Sequence, residues 1–191
     1  MRFLVLLILL TSLFSSCARK VSRIAPNQQI DLSGRWNDSD SRQVADKMIA
    51  ELLNNPKFKE YAQTLGRKPA IIVGQIRNKT SEHIDADNYV KKLELAIFNS
   101  DLADLVESEG FRDKLREERA QQQDFSDPAT MAKWGKEVGA NLMLFGEMTS
   151  ETDVYNKDRV VNYVTTLFLT EVETSKRIWY GQQEIKKYIK N

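Results

Sequence analysis

Apolar residues near the start of the chain recur at helical spacing. In the segment SDSRQVADKMIAELL, residues 39–53, the apolar side chains three and four positions apart form one face of a helix: Val44, Ala45, Met48, Ile49, Leu52 and Leu53. Ser39, Asp40 or Ser41 can cap its start, because each side-chain oxygen can accept a backbone N–H. Asn54, Asn55 and Pro56 end it. The pattern predicts an amphipathic helix packed on a core.

Four further segments show helical signals. A short helical turn is expected over 58–65, ended by Gly66, and a helix over 85–100 with its buried side at Tyr89, Val90, Leu93, Ala96 and Ile97. The stretch FRDKLREERAQQQ, 111–123, predicts a strongly charged helix. Asp127 as cap and Pro128 in the first turn predict one more helix. Its inner stripe would be Met131, Ala132, Gly135 and Val138, and Gly139 would end it.

The remaining apolar runs are typical of strands. AIIVGQIR, 70–77, is almost continuously apolar and predicts a central strand covered on both faces. Short strands are expected at 21–24 and 102–106. The last third is rich in Val, Thr, Tyr, Phe and Ile and predicts three strands, with hairpin tips at 156–158 and 174–176. The fold class is therefore α/β: a single domain with a mixed β-sheet flanked by helices in two or three layers, ending in a three-stranded antiparallel meander.

The N-terminus has the layout of a secretory signal. A short positive start is followed by an apolar run too short to span a membrane, which takes roughly 20 residues. Small residues, Ser15 and Ser16, then precede Cys17, the single cysteine. This arrangement resembles a bacterial lipobox, which implies lipidation of Cys17. An ordinary secretory protein with a stray cysteine is the alternative. The predicted organisation is a signal peptide at 1–16, a lipidated N-terminus and short tether at 17–29, and a globular domain at 30–191.

Composition narrows the chemistry of the mature chain. Without residues 1–16, basic and acidic residues balance at 27 each, which argues against nucleic acid as a partner. One cysteine allows neither an intramolecular disulfide nor a thiolate metal site. His83 is the lone histidine, and no nucleophile elbow or phosphate-binding loop occurs. We therefore expect no catalytic residues, cofactor or metal. Along the charged helix, Arg112, Arg116 and Arg119 form a candidate partner-binding face, with simple solvation as the alternative.

Five phrases together resemble the LpoB-type lipoproteins, the activators of bifunctional penicillin-binding proteins. They are DLSGRWNDSDSRQVADKMIAELL at 31–53, PAIIVGQIRNKTSEHID at 69–85, FRDKLREERAQQQDF at 111–125, GKEVGANLMLFGEM at 135–148 and ETSKRIWYGQQEIKK at 173–187. The resemblance implies a fold similar to the N-terminal domain of TolB, no catalysis, and an outer-membrane, lipid-anchored location facing the periplasm. It also implies that the chain binds a peptidoglycan synthase and regulates cell-wall synthesis.

The tether departs from the family pattern, which has a long disordered linker. About a dozen residues between Cys17 and the domain reach only roughly 40 Å. We expect a monomer. The alternative function is that of an outer-membrane lipoprotein component of a CsgG-like secretion or assembly complex.

Overall fold

A computed structural model describes residues 20–133 and 136–190. The helices of this part are α1 (Asp38–Asn54), α2 (Pro56–Leu65), α3 (Ala86–Ser100) and α4 (Glu109–Phe125). The strands are β1 (Ala70–Asn78), β2 (Asp104–Leu105), β3 (Leu142–Tyr155), β4 (Asp158–Glu171) and β5 (Arg177–Ile189). The helices predicted at 39–53, 58–65, 85–100 and 111–123 are confirmed, and so are the strands predicted at 70–77 and in the last third.

The start of α1 differs from the prediction. Asn37, not Ser39, Asp40 or Ser41, is the N-cap, and its Oδ1 accepts the N–H groups of Ser39 at 2.9 Å and Asp40 at 3.2 Å. The Asp40 carboxylate accepts the Asn37 N–H in return, at 2.8 Å. This reciprocal capping box satisfies donors that a helix start leaves unpaired. The three predicted caps failed because they lie inside the first turn.

The five strands form one mixed sheet in the order β2-β1-β3-β4-β5. β1 runs parallel to β2 and to β3, whereas β3, β4 and β5 are antiparallel neighbours. The two hairpin tips carry Asn156 with φ 55° and Ser175 with φ 59°, the left-handed conformation that tight turns use. The mixed sheet and the terminal three-stranded meander are thus confirmed.

One face of the sheet carries the hydrophobic core. Helices α1, α2 and α3 pack there against the inward side chains of the strands. Among the largest fully buried side chains are Met48, Leu52, Ile71, Tyr89, Leu93, Ile97, Leu142, Leu144, Leu167 and Leu169. In the described residues α4 has no buried side chain. The expectation that β1 is covered on both faces was wrong for its second half: on the opposite face Ala70 is buried and Ile72 is half-buried, but Gln75 and Arg77 are exposed.

Two other predicted elements are absent from the described residues. Residues 21–24 form no strand, and Val21 is exposed. Residues 127–133 and 136–139 form no helix: Asp127 caps a single turn, through the N–H of Ala129 at 2.8 Å, and the chain then leaves helical geometry. Val138, expected on the inner stripe, is 64% exposed. Without a core to pack on, a helix this short is marginal in water.

Residues 31–36, named here the strap, attach the chain before α1 to the end of β5. Lys187 Nζ lies 2.6 Å from Asp31, 2.5 Å from Asp40 and 2.9 Å from the Arg35 carbonyl oxygen. Gly34 has φ 68°, and a Cβ there would lie 2.3 Å from Ile189 Cγ1, so only glycine fits this crossing.

The strap ends on a polar loop that the family resemblance singled out. Glu82, within the phrase RNKTSEHID, accepts the Trp36 N–H at 3.1 Å and the Tyr163 hydroxyl at 2.7 Å. The rings of Trp36 and Tyr163 meet edge to face at 5.5 Å. Asn78 holds the loop closed by donating to the Glu82 carbonyl oxygen at 2.8 Å. This phrase therefore has a structural role, which joins the strap, β1 and β4.

Candidate partner-binding surfaces

The open face of the sheet carries a row of aromatic side chains. Phe145 on β3, Phe168 on β4 and Tyr180 on β5 stand on neighbouring strands, with ring centroids 5.6 Å and 5.4 Å apart. Strand alternation puts them on this face, because Leu144, Leu167 and Leu169 beside them point into the core. We name Met143, Phe145, Phe168, Arg177 and Tyr180 the aromatic face.

Arg177 closes one end of the aromatic face. Its guanidinium carbon lies 4.2 Å from the Phe168 ring centroid and 5.7 Å from that of Tyr180, a cation–π arrangement. Within the described part of the chain Arg177 makes no ion pair. An open hollow of about 570 Å³ lies alongside, lined by Met143, Phe145, Val172 and Arg177 among others. The surface can accept an apolar side chain beside a carboxylate.

A charged pair at the edge of the aromatic face ties β1 to β3. The Glu147 carboxylate accepts a hydrogen bond from Lys79 Nζ at 2.7 Å and lies 3.6 Å from the Arg77 guanidinium. The hydrogen bond from Lys79 holds the pKa of Glu147 below its usual range. At one end of the open face, apolar side chains lie beside Arg177 and Glu171, which line the same hollow, whereas the Glu147 side carries ion pairs.

The arginine face, Arg112, Arg116 and Arg119, lies on α4 as predicted. Arg116 binds Glu137 through two hydrogen bonds, of 2.7 and 3.0 Å, and Asp113 through one of 2.8 Å. Arg119 reaches the same Glu137 at 3.2 Å. The hydrogen bond from Arg116 lowers the pKa of Glu137 and in turn raises the pKa of Arg116. Two of the three arginines are thus engaged within the chain.

Arg112 differs from the other two. Its Nε is buried and has no hydrogen-bond partner in the described residues. It lines a hollow of about 320 Å³ between α4 and β2, together with Leu105, Arg119, Glu137 and Val138. The arginine face is therefore a basic hollow whose charge Glu137 partly neutralises.

Other predicted residues lie outside any assembled site. His83 is exposed on the loop after β1. In residues 20–133 and 136–190, no three His, Cys, Asp or Glu side chains cluster in a way that could hold a metal ion. Cys17, the predicted lipidation site, precedes the described residues. Of the helices described, none is long and apolar enough to cross a membrane.

Sequence reasoning did not identify the aromatic face. The signal was present in the run LFLTE of β4, where Phe168 alternates with two leucines and must point away from them. The three rings are 23 and 12 residues apart along the chain, so only the strand register, which pairs Phe145 with Phe168 and Phe168 with Tyr180, brings them together.

The chain matches one protein family over most of its length. The chain matches the family described as "Peptidoglycan-synthase activator LpoB" over residues 40–185. Comparison with curated proteins gave no match. Among solved structures, the LpoB C-terminal domain from Salmonella enterica is 16% identical, covers 76% of this chain and 98% of its own, and superposes with a TM-score of 0.43.

Two further structures are similar to the chain. The LpoB C-terminal domain from Escherichia coli is 18% identical, with 80% of this chain and 99% of that one covered and a TM-score of 0.43. The lipoprotein GNA1162 from Neisseria meningitidis is 14% identical, with 63% and 83% covered and a TM-score of 0.36.

Proposed function

Because the chain belongs to the LpoB family of peptidoglycan-synthase activators, we propose that it is a non-enzymatic outer-membrane lipoprotein that binds and activates a bifunctional penicillin-binding protein. The match over residues 40–185 is the observation that carries this proposal, since it spans every helix and strand except the ends of α1 and β5. Family membership itself supports the coarser statement, a regulatory role in peptidoglycan synthesis.

The anchor in this proposal is Cys17. Cleavage before it and acylation would attach the chain to the outer membrane with the domain facing the periplasm. Several acyl chains together give stable attachment, whereas a single one binds a membrane only reversibly. The position of the sole cysteine, directly after Ser15 and Ser16, supports this part of the proposal.

We assign the aromatic face as the docking surface for the synthase. Tyrosine, other aromatic residues and arginine dominate the binding energy of protein interfaces, because they offer large, rigid contact areas. Tyr180 is half exposed, and Arg177 is positioned by Phe168 with no competing ion pair in the described chain. On this surface the partner would supply an apolar side chain for the hollow and a carboxylate for Arg177.

The arginine face is the second candidate for the docking surface. Arg116 and Arg119 already bind Glu137, so a partner carboxylate would have to displace an internal one. Its contribution would then be mainly to the rate of encounter, as for charges at the rim of an interface.

Activation follows from unequal binding. If the domain binds the polymerising conformation of the synthase more tightly than the resting one, binding shifts the population toward the active state by that difference. No catalytic group on this chain is required for such an effect.

The test replaces the aromatic face without disturbing the core. We expect the double variant Arg177→Glu and Tyr180→Ala to weaken binding of the detergent-solubilised synthase from roughly 10- to 100-fold, because it removes two contacts of hot-spot type. The stimulated rate of glycan polymerisation should fall in parallel. Phe125→Ala, which removes an exposed ring from the end of α4, is the matched control and should bind as the parent does.

Two results would contradict the assignment. Unchanged affinity of the double variant would remove the aromatic face from the interface. Charge reversal of Arg112, Arg116 and Arg119 that weakens binding while the double variant does not would move the interface to α4. Absence of any synthase bound to the parent protein would refute the proposed function as a whole.

A further inference from the structure

The β3–β4 hairpin extends, together with β5, well beyond the end of β1. The last residue of β1, Asn78, pairs with Met148, but β3 continues for seven more residues to Tyr155. At about 3.4 Å per residue, this extension is about 24 Å long. We name residues 149–164 the hairpin arm; β5 follows it on one side, through the pairing of Arg159 with Ile189.

Apolar and aromatic side chains are exposed around the tip of the hairpin arm. Tyr155 is 80% exposed, and Val154 and Tyr188 are more than half exposed. Leu32 of the strap, 93% exposed, belongs to the same end of the molecule, since its neighbours Ser33 and Arg35 share a hollow with Val154, Lys157 and Ile189. These four side chains pack on no core.

The charges of the domain at this end are balanced, and the tether adds a positive excess. The cations of the domain are Arg35, Lys157, Arg159, Lys186, Lys187 and Lys190. The anions are Asp31, Asp40, Glu151, Asp153, Asp158 and Glu184. The exposed tether adds Lys20 and Arg23. Aromatic rings beside aliphatic side chains and long basic ones are typical of surfaces that lie at a membrane interface.

The chain also enters the domain at this end. The strap is held on β5 by Asp31, which lies 14 residues after Cys17 in the sequence. If a segment of that length behaved as a random coil, its mean end-to-end distance would be about 20 Å. That distance is similar to the length of the hairpin arm, so an acyl chain on Cys17 would keep the tip of the arm close to the bilayer.

We propose that the tip of the hairpin arm, with Leu32 and Tyr188, rests on the anionic phospholipid surface that holds the acyl anchor. The inference rests on the proposed acylation of Cys17. Attachment through a short linker gives an effective concentration in the mM range. Even a weak affinity of the tip for lipid is then enough for lasting contact.

This contact would orient the aromatic face. Phe168 lies ten residues along β4 from Asp158, about 34 Å at strand rise. A domain standing on its arm holds the aromatic face away from the membrane by roughly that distance. The orientation would partly replace the reach that a long linker supplies.

The experiment uses the full acylated chain in vesicles, where the acylated Cys17 leaves an introduced cysteine as the one free thiol. An environment-sensitive fluorophore is placed on Asn156→Cys at the tip of the arm. Ser175→Cys, at the tip of the other hairpin, is the matched control, because both positions have φ near 55–59° and suffer the same backbone strain. The vesicles contain phosphatidylethanolamine with phosphatidylglycerol, or phosphatidylcholine alone.

We expect the label at 156, but not that at 175, to shift to shorter emission wavelength and to be quenched by brominated lipid in the anionic vesicles. Weaker quenching is expected in phosphatidylcholine, and Val154→Asp with Tyr155→Asp should abolish the difference between the two labels. Flotation of the protein with both labels equally exposed to water would overturn the inference and leave the anchor intact. Failure of the parent protein to float would refute the acylation of Cys17 and the inference with it.

Discussion

Among the described residues, Lys187 is the cation that pairs with both Asp31 of the strap and Asp40 of α1. Its side chain is 9% exposed and that of Asp40 is 2% exposed. Burial alone would lower the pKa of Lys187, but its hydrogen bonds to Asp31 and Asp40 and their negative charges raise it. Since the folded pKa lies above the unfolded one, this contribution to stability is complete at neutral pH and is lost only as pH rises through the raised pKa.

Replacing this cation should destabilise the domain strongly. We expect Lys187→Met to lower the free energy of unfolding by about 3 kcal/mol, because the Asp40 carboxylate would stay buried without its counter-charge. Lys186→Met, one residue away and exposed, should change it by less than about 0.5 kcal/mol. Urea titration of both variants measures the difference, and equal stability of the two would show that solvent or another donor satisfies Asp40.

The structural role of the glycine in the phrase WYGQ, residues 179–182, could not be predicted from the sequence. Trp179 and Gly181 point to the same side of β5, and a Cβ on Gly181 would lie 2.0 Å from Cζ2 of the indole. The glycine therefore makes room for the Trp179 ring in the core. Spacing on a strand shows that two residues share a face, but it does not show that one side chain folds over the other.

At the scale of elements, α4 is held mainly by polar contacts. Its side chains bind the segment after it: Arg116 and Arg119 bind Glu137, while Gln122 and Gln123 bind the backbone of Ala132 at 2.8 and 3.0 Å. An element with exposed hydrogen bonds and no buried side chain belongs to the least stable part of a fold.

Glu137→Gln should therefore loosen α4 without unfolding the sheet. Removing the negative charge replaces the ionised partner at position 137 by a weaker neutral one, and Arg116 keeps only its bond to Asp113 on α4 itself. We expect faster amide hydrogen exchange over Glu109–Phe125 and unchanged exchange over β3, β4 and β5. Glu118→Gln, on the same helix and bonded within it to Gln122, is the control. Unchanged exchange in α4 would show that its apolar side chains, not these ion pairs, hold it.

Most elements could be predicted because their apolar spacing matches their burial. α1 and α3 carry their predicted faces into the core, and the meander follows its turn residues. The helix expected over 127–139 is absent from the described residues for a different reason. The Asp127 carboxylate caps only a local turn, and the apolar residues predicted to follow it have no core to pack against. A cap and a stripe predict a helix only when tertiary packing is available to stabilise it.

At the scale of the molecule, four carboxylates of the described residues lie in ion pairs that join parts distant in sequence and have a lowered pKa. Lysine holds the carboxylate of Asp31, Asp38 and Glu147, and arginine holds that of Glu137. The hydrogen bonds from Lys187, Lys92, Lys79 and Arg116 lower the pKa of these four groups. Burial raises the pKa of Glu94 instead, so the contribution of Glu94 to the pH dependence of stability has the opposite sign.

The domain should consequently lose stability in acid. A carboxylate with a lowered folded pKa stabilises the fold above its unfolded pKa, and this contribution is lost as pH falls through the folded value. With unfolded values near 3.8 and 4.5, we expect the free energy of unfolding to be constant between pH 6 and 8 and to decline below about pH 4.5. Urea titrations across this range test it, and a stability that is flat down to pH 3 would contradict it.

The candidate site could be predicted only in part, since the arginine face follows from one helix whereas the aromatic face needs three strands in register. Periodicity within a segment indicates which side chains share a face. It does not give the pairing of Phe145 with Phe168 and of Phe168 with Tyr180, which the hairpin turns set.

The strap bears on the order in which the chain can fold. Asp31 and Lys187 are separated by 156 positions, whereas β3, β4 and β5 pair through two short turns. Contacts between neighbours in sequence form early, and long loop closures form late. A chain that emerges N-terminus first would build its helices and meander before its last strand arrives. The strap would then be fastened last, so that this end of the domain is completed only when the whole chain has been delivered.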